Sequence, residues 1–351
     1  MIANIQLLRA LAAILVFLHH VLAHYETMGG KLSWLISIGR WGFTGVDIFF
    51  VISGFVIAQT TMTKERTRSN ATEFLRHRFL RIYLGYWPFL IVYLMAFQIL
   101  TPEKIGSFDL VGSVLLTNIN MFELVLPVSW SLSFELYFYC LFLLTFLLPV
   151  RLVGPLIGVV FVLLVLKCWL MPGLGDMDGF LLSPFLLEFF AGSLTWMALR
   201  HVRSSWPIVP TLIAAVFFYR LGIDLNAHEG MVRSCTFGVA AVCIFIVALL
   251  MEKSEWFKAG RGFVWLGDAS YTIYLGHLAF LGLFVVSGLK AFLAGQSQLV
   301  MELGFILYLV LALGAMVIIY RRMERPLYRF ACSLRMARTE NGWKVMRLVL
   351  R

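Results

Sequence analysis

An all-helical integral membrane protein, with about ten transmembrane helices and both ends in the cytoplasm, is the fold this sequence predicts. Three observations carry that prediction. The 351 residues are 61% hydrophobic and only 14% charged, and the mean hydropathy is +0.88. Soluble domains are roughly 45–50% apolar and about 25% charged. A single globular core stops growing near ~250–300 residues, so the excess apolar surface has to face lipid. Second, the apolar residues fall into runs of about the 20 residues that a ~30 Å hydrocarbon core requires. Third, the 29 Lys and Arg residues alternate between connections as a helix count of ten demands.

In order, the segments lie near 5–24, 41–61, 82–100, 128–149, 153–171, 181–199, 206–221, 234–251, 267–289 and 299–320. The seventh is short. The connection 101–127 is polar enough to lie outside the bilayer. With the N-terminus inside, Arg9 and Lys167 fall within helices, and Lys31, Arg40, Lys104, Arg220, Arg233 and Lys290 fall in outer connections. The other 21 of the 29 lie in inner connections and the tail. Cytoplasmic loops carry such an excess of Lys and Arg. That placement also explains the net charge of +10 without a nucleic-acid partner. The first run is followed by no small-residue cleavage site and reads as a retained helix rather than a signal peptide. Residues 1–328 form the membrane domain. Residues 329–351, with Trp343, Leu348 and Leu350 among basic residues, read as a cytoplasmic amphipathic tail on anionic lipid. The five cysteines form no CxxC pair and no metal-ligand spacing, so no metal is expected.

Ionisable groups in a bilayer are costly and mark function by default. Arg9 and His20 share the first helix, 11 residues apart. At ~100° and ~1.5 Å per residue they lie on one face about 17 Å apart, with His20 towards the outer end. Asp47 enters the second segment about 9 Å from its outer end, and Glu135 enters the fourth about 10 Å from its own. His20, Asp47 and Glu135 are therefore expected in one outer layer. Asp47 is expected either to hold His20 in a base-competent tautomer or to bond a neighbouring helix. Ser131 shares a face with Glu135 at i, i+4, beside Trp130. His277, with Tyr271 on the ninth segment, falls near the midplane, to line a path for a polar ligand or to bond a Tyr or Ser. Arg78 and Arg81 project together at the inner face, as positive-inside charges or as a bidentate phosphate grip. Gly45, Ser53 and Gly54 suit close helix contact.

Together these segments resemble the membrane-bound acyltransferase family 3. The residues that carry the resemblance are Arg9 and His20 with ten residues between them, the run Gly45-Val46-Asp47-Ile48-Phe49-Phe50-Val51-Ile52-Ser53-Gly54-Phe55, Arg78 with Arg81, Trp130-Ser131-Leu132-Ser133-Phe134-Glu135, and Ser270-Tyr271-Thr272-Ile273-Tyr274-Leu275-Gly276-His277. Glu324-Arg325-Pro326 closes the last segment in the same manner. Leu136-Tyr137 departs from the Glu-Gln of many relatives. The resemblance covers about residues 1–328. It implies an O-acyltransferase of the bacterial inner membrane, with no resident cofactor and with acyl-CoA, expected to be acetyl-CoA, as co-substrate. It implies a carbohydrate acceptor such as an exopolysaccharide or a lipid-linked oligosaccharide. Arg9, Arg78 and Arg81 would bind the donor, His20, Asp47 and Glu135 would be catalytic, and Trp130, Ser131, Tyr271 and His277 would position substrate. The rival from another class is a transporter or flippase of a lipid-linked glycan, since charges in the membrane also mark substrate paths. No internal repeat of the kind common in transporters is visible.

Overall fold

The computed structural model describes residues 2–170, 182–202 and 204–339, and among them the regular structure is helical with no strand. Helix α1 (Ala3–Thr27) is followed by the short α2 (Ser33–Arg40), α3 (Gly45–Thr61), α4 (Arg68–Leu100), the short α5 (Leu110–Leu115), α6 (Trp130–Leu144), α7 (Val150–Leu170), α8 (Phe185–Leu199) and α9 (Ile208–Asp224). Then come α10 (Gly230–Lys253, with a π turn at Ser234–Gly238), α11 (Arg261–Asp268), α12 (Ser270–Val286), α13 (Leu289–Ala294) and α14 (Gln298–Ile319). A π turn at Tyr320–Glu324 leads α14 into α15 (Arg325–Thr339).

Seven helices among the described residues are long and apolar enough to cross a membrane, or eight if α11 and α12, bent by 67° at their junction, form one span. This is fewer than the ten expected. The segments at 181–199 and 206–221 appear as α8 and α9, of 15 and 17 residues. At ~1.5 Å per residue these measure about 23 and 26 Å, short of a 30 Å core crossed straight. The ninth segment is not one rod but two pieces, broken where Gly267 packs so closely on α1 that a Cβ would overlap the Gln6 carbonyl. The C-terminal tail begins as α15, and its residues 340–351 lie outside the described residues.

Burial ranks the helices. In α3, 72% of the span is buried, against 17% for α7. The outward residues of α7 and α14, including Val159, Leu163, Leu307 and Leu311, form apolar faces suited to lipid. The central position of α3 follows from its glycines. A Cβ at Gly45 would overlap the Ala12 carbonyl of α1, one at Gly54 the Phe189 carbonyl of α8, and in return one at Gly192 of α8 the Val51 carbonyl of α3. Without a hydrophobic drive between helices in lipid, such small-residue contacts supply the packing. The connection after α4 is ordered by Asp109, which caps α5 by accepting from the Gly112 N–H at 2.8 Å and from Asn118 at 3.0 Å. Those donors hold its carboxyl below the usual range.

Candidate active site

At the centre of the bundle, α1, α3, α4, α6 and α12 enclose a cavity of about 110 Å³. Arg9, Ser53, Arg78, Arg81, Glu135 and Tyr271 supply its polar lining, with Ser131, Tyr139, Ser270 and Tyr274. Arg78, Arg81 and Val56 also line a larger cavity of about 650 Å³ whose other walls include Lys64, Glu73, His77 and Tyr328. The small chamber and the large one therefore meet at the two arginines, on the side of the bundle where α3 ends and α4 begins.

Each charge in the chamber has a definite support. Arg9 Nε donates to Ser270 Oγ at 3.2 Å. Arg81 pairs with the buried Glu324 at 2.5 Å, and Glu324 also accepts from the Thr272 hydroxyl. Arg78 donates to Thr60 Oγ1 at 2.8 Å and lies over the rings of Phe74 and Tyr139, none of which neutralises it. Glu135 accepts from Ser53 Oγ at 3.2 Å and Tyr139 Oη at 2.5 Å. Formally, three guanidinium groups stand against the carboxylates of Glu135 and Glu324, so the chamber favours an anion. Opposite, Ser131 Oγ and Tyr274 Oη are 2.7 Å apart. Tyr271 is anchored by donating to the Ile82 carbonyl at 2.8 Å.

His20 and His277 are not in the chamber's lining but adjoin it: His277 lies one turn of α12 beyond Tyr274, with ring centroids 6.2 Å apart, and His20 of α1 packs on His277 at 4.8 Å. His20 Nδ1 lies 2.9 Å from the Val16 carbonyl and His277 Nδ1 lies 3.2 Å from the Ile273 carbonyl. A carbonyl only accepts, so both Nδ1 atoms carry the proton. His20 Nε2 is left with a free lone pair. His277 Nε2, 3.3 Å from His20 Nδ1, is left with one too.

The expected His20–Asp47 pair does not form. Asp47 instead takes a two-pronged contact from Arg233 of α10, Nε to Oδ1 at 3.0 Å and Nη2 to Oδ2 at 2.9 Å. Arg233 also reaches the Phe43 and His228 carbonyls and sits between the Phe43 and Phe185 rings. Glu188 of α8 is buried in the same group and accepts from Ser234 Oγ at 2.9 Å. A bidentate Arg fork fits a buried carboxylate better than one imidazole, so the α3 carboxylate bonds a neighbouring helix, the second of the two expected outcomes. Nor do His20, Asp47 and Glu135 share one layer. Glu135 bonds Ser53, six residues and about 9 Å along α3 from Asp47. Trp130 packs among Phe50, Phe134 and Phe185 and does not line the chamber. His277 bonds neither a Tyr nor a Ser but the other histidine. Arg233, expected in an outer connection, is instead buried. Glu188 is not among the residues singled out above, yet an acid inside an apolar run is the signal by which the sequence could reveal it.

The family model for the acyltransferase domain, Acyl_transf_3, matches residues 2–321. The chain belongs to this acyltransferase family. Among curated proteins it is 27% identical over 318 residues to the exopolysaccharide production protein ExoZ of Rhizobium meliloti, covering 82% of this chain and 90% of that one. It is likewise 27% identical over 315 residues to the peptidoglycan O-acetyltransferase OatA of Listeria monocytogenes, covering 79% of this chain and 49% of the relative. Over 148 residues, 38% of this chain and 36% of the relative, it is 34% identical to the acyltransferase MdmB of Streptomyces mycarofaciens. No solved structure matches it. The transporter reading finds no support among these relatives.

Proposed function

We propose that this acyltransferase moves an acetyl group from cytoplasmic acetyl-CoA to a sugar hydroxyl of an exopolysaccharide or another surface glycan. The observation that carries the reading is the cationic chamber that adjoins His20 and meets a wider cavity at Arg78 and Arg81. A long anionic donor is served by such a shape. Its phosphates lie in the wide cavity at Arg78 and Arg81, and its arm runs inward past Arg9. The relatives named for exopolysaccharide production and peptidoglycan O-acetylation support a glycan acceptor. The bilayer is the inner membrane, and the basic ends of α4 and α15 lie on its cytoplasmic side. In the ten-span arrangement α8 and α9 cross together with the others.

Chemistry follows from the free lone pair of His20. The acceptor hydroxyl gives its proton to Nε2 as its oxygen bonds the thioester carbon. The C–S bond then breaks, and the imidazolium returns the proton to the thiolate. Glu135 and Ser131 orient the acceptor, with Tyr271 forming the wall. Asp47 contributes by fixing α3 rather than by touching His20. The test is transfer of label from acetyl-CoA to native glycans in membranes carrying the wild-type protein or His20→Ala at equal folded amount. Label on glycan with the wild type alone is the expected result. Equal labelling by the variant would remove His20 from the chemistry, and no labelling from any acyl-CoA would remove the donor assignment.

A further inference from the structure

We propose that His277 is the positioning residue of His20, in place of a carboxylate. This rests on the reading of His20 as general base. The buried carboxylates among the described residues are committed elsewhere: Asp47 to Arg233, Glu135 to Ser53 and Tyr139, Glu188 to Ser234, Glu324 to Arg81 and Thr272. What faces His20 Nδ1 is the Nε2 lone pair of His277 at 3.3 Å, completely buried and oriented by the Ile273 carbonyl. The His20 Nδ1 proton is shared between that lone pair and the Val16 carbonyl at 2.9 Å.

The arrangement does two things. It holds His20 in the tautomer whose Nε2 is free to take a proton. It also gives the imidazolium formed in the reaction a neutral base at Nδ1 across which to spread its charge, the role a buried carboxylate fills in a Ser-His-Asp triad. A neutral partner suits this position, because a bare carboxylate would need its own compensation in an apolar interior. The other titratable rings against the pair are His19 on α1, with centroid 5.3 Å from His20, and Tyr274 on α12. His19 is turned away to the Gly39 carbonyl. Packing of Phe17 against His277 at 6.0 Å keeps the ring in place.

The experiment compares wild type, His277→Phe and His277→Gln in detergent or nanodiscs. It measures kcat, KM for acetyl-CoA, the pH profile of kcat, and the tautomer and titration of His20 by ¹⁵N imidazole NMR. Phenylalanine should lower kcat about 100-fold and leave KM within twofold. Glutamine, whose side-chain oxygen still accepts, should recover at least a tenth of the wild-type rate. Because the lone pair favours protonated His20, its loss should move the acidic limb of the profile to lower pH. Unchanged kcat in His277→Phe would overturn the proposal, as would equal losses in both variants with an unmoved acidic limb. An Nε2–H tautomer of His20 in the wild type would overturn it as well. The NMR reading stands even if no acyl-CoA is consumed, so failure of the positioning role and failure of the donor assignment are told apart.

Discussion

Arg233 and Asp47 show how a single residue changes its meaning once its partner is known. Asp47 is fully buried and Arg233 nearly so, and removing one member of a buried pair strands the other charge. Asp47→Ala should therefore cost about 3–5 kcal/mol of stability, read as a lowered unfolding temperature in detergent. Asp47→Asn combined with Arg233→Gln should recover much of that loss, and an additive double variant would contradict the pairing. Arg78 makes a different prediction, because Thr60 and two rings support it without cancelling its charge. Arg78→Ala should raise KM for acyl-CoA about tenfold, equal to ~1.4 kcal/mol, with kcat little changed. A fall in kcat at constant KM would place Arg78 nearer the reacting atoms than the donor's phosphates.

Helix α3 is the element on which the site depends, and at its glycines it meets its neighbours backbone to backbone. At Gly54 a side chain would have to displace the Phe189 carbonyl, which cannot swing aside as a side-chain tip can. Gly54→Leu should destabilise by at least the 1–3 kcal/mol typical of overpacking. Gly158→Ala and Gly314→Ala, where an added Cβ meets nothing within 4 Å, should change stability little, on the scale of helix propensity alone. Thermal unfolding of the three variants in one detergent checks the contrast. The sequence marked Gly45 and Gly54 as contact positions because small residues recur at membrane helix interfaces. It did not say which helices they meet, since every apolar helix offers a similar face.

For the whole molecule, the open quantity is the number of crossings. Seven or eight helices meet the length requirement, whereas the charge alternation needs ten, with α8 and α9 crossing as short helices. Cysteine reporters decide it. With ten crossings, positions in 101–127 and near Asn226 are labelled only from outside, and positions near Lys258 and in 340–351 only from the cytoplasm. If α8 and α9 did not cross, reporters near Asn226 and Lys258 would keep those sides, but those near Arg200, cytoplasmic with ten crossings, would be labelled from outside. The two arms therefore separate the counts.

The amino-acid sequence by itself determined the helical membrane class, the family and most of the chamber. Arg9, Arg78, Arg81, Ser131, Glu135 and Tyr271 were legible because charge or polarity inside an apolar run is expensive enough to stand out one helix at a time. Only the tertiary structure decided who pairs with whom. Depth along a helix follows from rise per residue, but the direction a side chain faces across the bundle depends on neighbours hundreds of residues away. That is why His20 meets His277 rather than Asp47, and why Arg233, counted among the outer charges, is buried on α3's carboxylate.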